Sequence, residues 1–581
     1  MLKIFYTHIG QYKKATMLAP LFMLIETAIS LILPSIMSSI VDIGIKQGDM
    51  PYIIRCGIIM LALSAVAAVC GVLCARQSSK AAQGFGSNLR QAMYHHMQEF
   101  SFADVDKFSS SSLITRTTND VHTLQMALQM GLRVLAQAPC QLIVALIIVV
   151  GYSVRLSTIL LAAMPILFIF VSSLMRYVRR LFVVMQQKLD NLNGAVQEDL
   201  IAIRVIKSFV REKYEHQQFK VVNDEFTKAG MNAMVRMAMM QPMSTVIINS
   251  VLLLIYWFGG QMVGHGELLS GELLAIITYL QQIMMSIMMF SMILMQASRA
   301  QACVIRIQEV LNTVPDITDS AESPVSVRTD RGGEVEFKNV SFKYSTGGTG
   351  SDVLNSVSFK VSPGETVAVV GDTGSGKSSL VNLIPRFYDV TGGGVFVDGV
   401  DVRDYGLTAL RDKIGMVLQN NVLFTGTIRD NVRWGKPDAG DDEVITALKN
   451  AQAYDFVMAT SEGLDTEILQ GGTNVSGGQK QRLCIARAML KKPEILILDD
   501  STSAVDSDTE KRIRASFDSE SLGCTVFIIA QRISSVMNAD KIIVLSGGMI
   551  DSVGTHEELM EHSAMYKEIF QSQQEGALGH V

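Results

Sequence analysis

Apolar residues are not spread evenly along this chain of 581 residues. Six stretches, 16–41, 54–75, 131–152, 157–178, 241–263 and 272–297, are each long and apolar enough for a helix to cross the hydrocarbon of a bilayer. The first is too long for a secretory signal and shows no small-residue cleavage site, so it is expected to remain a membrane helix. The polar intervals between spans two and three and between spans four and five keep helical periodicity. They predict helices that continue out of the bilayer, each with a short transverse helix at its tip, near Phe102 to Ser110 and near Phe209 to Glu215, able to touch a soluble domain. From Asn312 to Gly333 the periodicity disappears and Pro315 and Pro324 enter, marking a boundary. Beyond it short β-branched runs alternate with helical patterns, as in an α/β domain. The expected architecture is a membrane all-α domain of six long helices over 1–311, a linker over 312–333, and an α/β domain over 334–581.

Composition sharpens this division. The chain is 49% apolar and only 18% charged, and its charge is concentrated after about Arg299. A net charge of −5, with no basic stripe interleaved with aromatics, excludes a nucleic-acid partner. The seven cysteines have neither disulfide nor zinc-ligand spacing. Basic residues decide orientation: Lys13 and Lys14 precede span one, Arg76 to Arg116 lie between spans two and three, and a dense group from Arg176 to Lys213 lies between spans four and five. These segments, both termini and the α/β domain are therefore expected on the cytoplasmic side of the cell membrane. Two features inside the spans bear on cargo. Glu26 is an ionisable group in span one, suited either to cation or proton handling or to a structural hydrogen bond. The methionines from Met231 to Met243 and from Met284 to Met295 suit ordinary packing, lipid contact or a pocket for varied apolar molecules.

The candidate chemistry lies in the second half. In ETVAVVGDTGSGKSSL, Glu365 to Leu380, a strand runs into a glycine loop and then a helix. Residues Gly371, Asp372, Thr373, Gly374, Ser375, Gly376, Lys377, Ser378 and Ser379 form the pattern of a phosphate-wrapping loop. Its glycines leave backbone amides open to phosphate oxygens, Lys377 offers charge to the β and γ phosphates, and Ser378 can ligate Mg²⁺. A second apolar strand, ILILDD, ends in Asp499, suited to holding Mg²⁺ through water, and Asp500, where a base or water-positioning group is needed. Phe342 and Tyr344 alternate on a strand ahead of the loop, where a ring could stack on adenine. The turn NVSGGQKQR opens another helix in an anion-binding shape. With one nucleotide cradle already in the chain, it points to a second nucleotide shared with another copy of the domain.

Together GDTGSGKSS, Gln419 in VLQNNVLF, VSGGQ, ILILDD, SAVD and six preceding spans resemble an ABC transporter half of the exporter type, over essentially the whole chain. The resemblance implies an ATPase coupled to transport, with ATP and Mg²⁺ as cofactors. It implies adenine stacking by Tyr344 and sensing of Mg²⁺ by Gln419. It gives Val475, Ser476, Gly477, Gly478 and Gln479 the role of a signature covering a partner's γ-phosphate, and Asp506 that of communication across the dimer. The two helical tips resemble the family's coupling helices, the second of which normally reaches the partner's ATPase domain.

Two positions depart from that pattern. The family's Glu after the second strand is Asp500 here, and its switch histidine is Gln531. Losing one methylene withdraws the carboxylate by about 1.5 Å, a misplacement worth roughly a hundredfold in rate. Glutamine can donate a hydrogen bond but carries no imidazolium charge. Both changes fall in one composite site, which predicts a heterodimer with a second half-transporter: a slow site built on this chain's loop, and a fast one that uses its intact signature. A fully active homodimer is the alternative. The expected cargo is an amphipathic or lipophilic small molecule handled among membrane lipids. Lipid or peptide export, metal-chelate import and an ATP-gated channel or regulatory subunit remain alternatives, and no protease-like segment before span one speaks for peptide processing.

Overall fold

The computed structural model describes residues 2–319, 332–344, 352–500, 507–516, 523–530 and 532–578. Two compact units emerge from its contacts: Met1–Gln98 with Ser111–Thr313, and Glu99–Ser110 with Val314–Val581.

The first unit is helical. Helices α1 (Lys13–Ser39) and α2 (Met50–Gln98) are followed by the short α3 (Phe102–Phe108), which belongs to the second unit. Then come α4 (Val121–Tyr152), α5 (Val154–Ile201), the short α6 (Ile203–Ser208), α7 (Glu212–Ala238), α8 (Met240–Gly264) and α9 (Ser270–Asn312). Among the described residues six helical segments are long and apolar enough to cross a membrane, each overlapping a different predicted stretch; the last, Ser270–Phe290, ends before the predicted 297. Helices α2 and α5 do continue far past their apolar parts, at 49 and 48 residues. Leu31, Val149, Leu160, Ile255 and Ile283 share one buried cluster drawn from α1, α4, α5, α8 and α9.

Several polar groups inside this unit find partners, as a low-dielectric surrounding demands, whereas the buried Ser244 hydroxyl and Gln282 Oε1 have none among the described residues. The buried Tyr279 hydroxyl donates to the Leu31 carbonyl. Asp42 accepts the Gly271 amide at 2.7 Å, and a Cβ at residue 271 would stand 2.5 Å from that carboxylate. Glu26 lies against Gly71, where a Cβ would come within 3.1 Å of its Oε2. At the other end of α9, Arg306 binds the buried Asp120 through two nitrogens.

The two tips differ. At the first, Ser101 and Asp104 form a capping box that starts α3. The second tip departs from expectation: its short helix is α6, Ile203–Ser208, and 209–215 holds a turn and the beginning of α7. Val210 takes φ +53°, which ends α6, and neither glycine nor proline announces that break.

The second unit is built on β1 (Val335–Phe342), β2 (Leu354–Val361), β3 (Thr366–Gly371), α10 (Lys377–Asn382), β4 (Gly392–Val397), β5 (Ile414–Val417), α11 (Gly477–Leu490), β6 (Ile495–Asp499), β7 (Thr525–Ile529), β8 (Lys541–Ser546), β9 (Met549–Gly554) and α12 (Ala564–Leu578). Its main sheet has the order β9-β8-β3-β7-β6-β5. All neighbours are parallel except β8 and β9. Strand β3 is buried on both faces: Ala368 and Val370 join one apolar cluster, Val367 and Val369 the other. That explains its unbroken apolar run. In register, Ile529 lies beside both Val369 and Asp499, so β3, β6 and β7 end together. Open parallel sheets bind ligands at that edge.

Candidate nucleotide-binding site

The chain leaves β3 at Gly371 and enters α10 at Lys377, looping over the carboxyl edge of the sheet. Gly371 takes φ +148°, and a Cβ there would stand 2.1 Å from the Leu545 carbonyl on the neighbouring strand β8. Glycine is thus required by the sheet as well as by any phosphate. Gly376 takes φ +98° and caps α10, with the Val353 carbonyl 2.9 Å from where a Cβ would sit.

A cleft of about 440 Å³ opens here. Gly371 to Gly374, Gly376 to Ser379, Gln419, Asp499 and Asp500 line it, so most of the sequence-predicted set converges. Ser378 donates to Asp499 at 2.9 Å. Asp499 is 4% exposed, and burial pushes its carboxyl above the usual value even though the Ser378 hydrogen bond pulls it down. Burial also lowers the Lys377 ammonium, against the raising influence of Asp372, Asp499 and Asp500. Lys377 donates to the Gly371 and Asp372 carbonyls at 2.8 and 2.7 Å, its own loop supplying the oxygens. The buried Ser375 hydroxyl has no hydrogen-bond partner.

A buried carboxylate held by a hydroxyl, an ammonium turned onto loop carbonyls and an orphaned hydroxyl are a donor and acceptor set that fits a phosphate chain with a divalent cation. Lys377 and the loop could hold phosphates; Ser378 and Asp499 could hold Mg²⁺. Asp500 follows β6 at φ +49°, a conformation that Asp tolerates better than most residues. Its amide donates to the Ile529 carbonyl at 3.1 Å, and its carbonyl accepts from the buried Gln481 of α11 at 3.4 Å.

The remaining candidates lie elsewhere. Tyr344 is not part of the cleft wall; its hydroxyl is 2.8 Å from that of Ser379 and its ring meets Tyr388 edge-on at 5.1 Å. Val475 to Gln479 stand outside the cleft, where Ser476 caps α11. Asp506 and Gln531 lie outside the described residues.

Sequence reasoning missed two parts of this unit. Ile569 and Gln573 of α12 line the cleft, and their spacing of four on an amphipathic helix was the available signal. Tyr388 was also overlooked. It donates to Asp106 of α3 at 3.1 Å, while Phe102 packs on Phe387 and Tyr388 at 4.5 and 6.1 Å. Burial, then Asp106, pushes the Tyr388 phenol well above its ordinary value, so it remains a donor.

Residues 16–287 match the model of the ABC transporter transmembrane region, and residues 354–503 match the model described as ABC transporter. The chain belongs to the ABC transporter family. An uncharacterised ABC transporter ATP-binding protein of Mycobacterium bovis is 37% identical over 99% of this chain and 98% of its own. YfiB of Bacillus subtilis, likewise an ABC transporter ATP-binding protein, is 37% identical over 96% of each chain. YgaD of Bacillus subtilis, provisionally named a multidrug export ATP-binding/permease protein, is 35% identical over 83% of each. In fold, the chain resembles a bacterial Atm1-family ABC exporter solved with ATP bound, with a TM-score of 0.80, 24% identity and coverage of 97% and 99%. This ABC transporter is thus a membrane protein with the fold of an exporter-type half, whose ATPase domain binds ATP and couples its hydrolysis to transport.

Proposed function

We propose that this ABC transporter exports amphipathic or lipophilic small molecules across the cytoplasmic membrane, as one half of a heterodimer with two unequal ATP sites. The observation that carries this reading is Asp500: in the cleft, directly after Asp499, stands a carboxylate one methylene shorter than the glutamate of the family pattern. ATP when bound supplies the phosphoanhydride to be cleaved, and Mg²⁺ offsets charge on its phosphates. The chain's own residues then have separable tasks. The Gly371–Ser379 loop and Lys377 bind and orient the phosphates, and Ser378, Asp499 and Gln419 hold the cation. Asp500 positions water from a greater distance than glutamate, so turnover at this site is slow while binding is retained. Gln531 in place of an imidazole weakens the same site.

The turn Val475–Gln479 serves the other site, covering the nucleotide held by the partner. Asp506 carries signals between the two sites. The second tip supports a partner as well, because Phe209 and Val210 are 73% and 79% exposed. Orientation with both termini and the ATPase domain cytoplasmic follows from the basic segments between spans two and three and four and five. The multidrug reading draws on the name of YgaD and on the methionines of α7, α8 and α9.

The test uses the chain co-purified with its partner half-transporter. Asp500→Asn is expected to lower ATP turnover less than twofold, and Glu→Gln at the partner's equivalent position to lower it more than a hundredfold. Equal losses from the two substitutions overturn the unequal pair.

A further inference from the structure

We propose that Gln573 of α12 is a positioning residue for the ATP site, holding the cleft wall that follows β7. This rests on reading the cleft as that site. After β7 the wall continues through Ile529, Ala530 and Ile533, and Ile533 begins a single 3₁₀ turn, Ile533–Ser535. The residue ahead of that turn, Arg532, offers no side-chain cap. The missing acceptor comes from forty residues further along: Gln573 Oε1 accepts the Ile533 amide at 2.8 Å. Such first-turn amides need an external acceptor, and an uncapped one frays.

Helix α12 can impose a position because its own base is fixed. Tyr566 is fully buried, its hydroxyl is 2.7 Å from His556 Nδ1, and its amide donates to Ser563 at 3.2 Å. His556 also meets the Phe570 ring edge-on at 5.5 Å. One turn beyond that anchor, Ile569 and Gln573 face the cleft beside Lys377 and Asp500. The helix therefore acts as a brace: it holds Ile533, and the turn that Ile533 begins, at the cleft where Asp499 and Asp500 leave β6. Ala530 and Ile533 line the cleft beside Asp500, so a loosened brace loosens the wall at which turnover takes place.

The experiment is hydrogen exchange and ATP turnover on the full-length complex, for the wild type, Gln573→Met and Gln573→Glu. Methionine keeps the length of the side chain but replaces the amide oxygen with a weakly accepting thioether, whereas glutamate keeps an acceptor oxygen. Without nucleotide, the Ile533 amide is expected to exchange about fivefold faster in Gln573→Met, the scale of one lost hydrogen bond, and at the wild-type rate in Gln573→Glu. With MgATP, Gln573→Met should still protect the Gly374–Ser378 peptide at the wild-type half-saturating concentration. Turnover, measured with the partner's own catalytic glutamate changed to glutamine, should fall about fivefold and recover in Gln573→Glu. Unchanged exchange at Ile533, or equal loss of glycine-loop protection in Gln573→Met, overturns the brace. Failure of MgATP to protect the glycine loop in the wild type overturns the nucleotide reading instead, and the nucleotide-free comparison still decides the contact.

Discussion

The loop from Gly371 to Ser379 and the turn from Val475 to Gln479 both set glycines and serines at the start of a helix, yet their polar groups are satisfied differently. In the turn, Ser476 Oγ accepts the Gln479 amide at 3.3 Å and Gln479 Oε1 accepts the Ser476 amide at 2.9 Å. Lys480 donates to the Gly471 carbonyl, and Asn474 bridges the backbone of Glu467 and Leu469. Each partner comes from within a few residues. In the loop, Ser375 Oγ is orphaned and Lys377 is folded onto the Gly371 and Asp372 carbonyls, while Ser378 donates to the buried Asp499. The loop is a socket with an unbonded hydroxyl at Ser375, while the turn is a finished cap that offers an exposed face. Similar residues in similar local structure therefore divide into a loop that lines a cleft and keeps an unbonded hydroxyl, and a turn whose polar groups are satisfied by their own neighbours.

The largest effect should come from breaking the socket. Lys377→Ala is expected to weaken binding of a fluorescent ATP analogue to this chain's site about a hundredfold, the scale of one buried charge-assisted hydrogen bond. A loss below threefold would mean that Lys377 is no phosphate ligand. Next comes the face of the turn. Gly477→Asp adds a carboxylate where a partner's phosphates are proposed to lie, and should lower ATP turnover of the complex about tenfold while leaving analogue binding at this chain's own cleft within twofold. If binding at that cleft fell as far as turnover, the division between loop and turn would dissolve.

The smallest effects sharpen the contrast through stability alone. Ser476→Ala removes a cap worth about 1 kcal/mol and should lower the melting midpoint of the ATPase unit by about 2–4 °C without nucleotide. Ser375→Ala removes a hydroxyl that bonds nothing, so the nucleotide-free midpoint should stay within about 1 °C, and only the increment added by MgATP should shrink. Differential scanning fluorimetry with and without MgATP reads both. Interchanged behaviour of the two serines would reverse the roles assigned to them.

Much of the cleft was legible in advance because wrapping a phosphate is a local act: contiguous backbone amides, a lysine and a hydroxyl must follow one strand in fixed order. Asp499 was legible for a related reason, since an apolar run ending in carboxylates marks the end of a buried parallel strand. Gln573 was not. The spacing of four from Ile569 marks one face of a helix but not what that face meets, and a cap on an amide forty residues away leaves no local pattern. The requirement for glycine at 371 was only half legible, because the Leu545 carbonyl that excludes a Cβ belongs to another strand.

The sequence by itself determined six apolar helices, an α/β ATPase with a phosphate loop, and the substitution of Asp500 for glutamate. Each of these is written in residue type over a short contiguous span, where hydrophobic period and backbone chemistry act. Only the tertiary structure decided which contacts join the tip Glu99–Ser110 to the second unit, Phe102 on Phe387 and Asp106 on Tyr388, that the second tip turns at Val210, and that α12 reaches the cleft. Those outcomes depend on which surfaces meet after the chain has folded back on itself, and contacts between distant segments are selected by packing and hydrogen-bond geometry that no local pattern encodes.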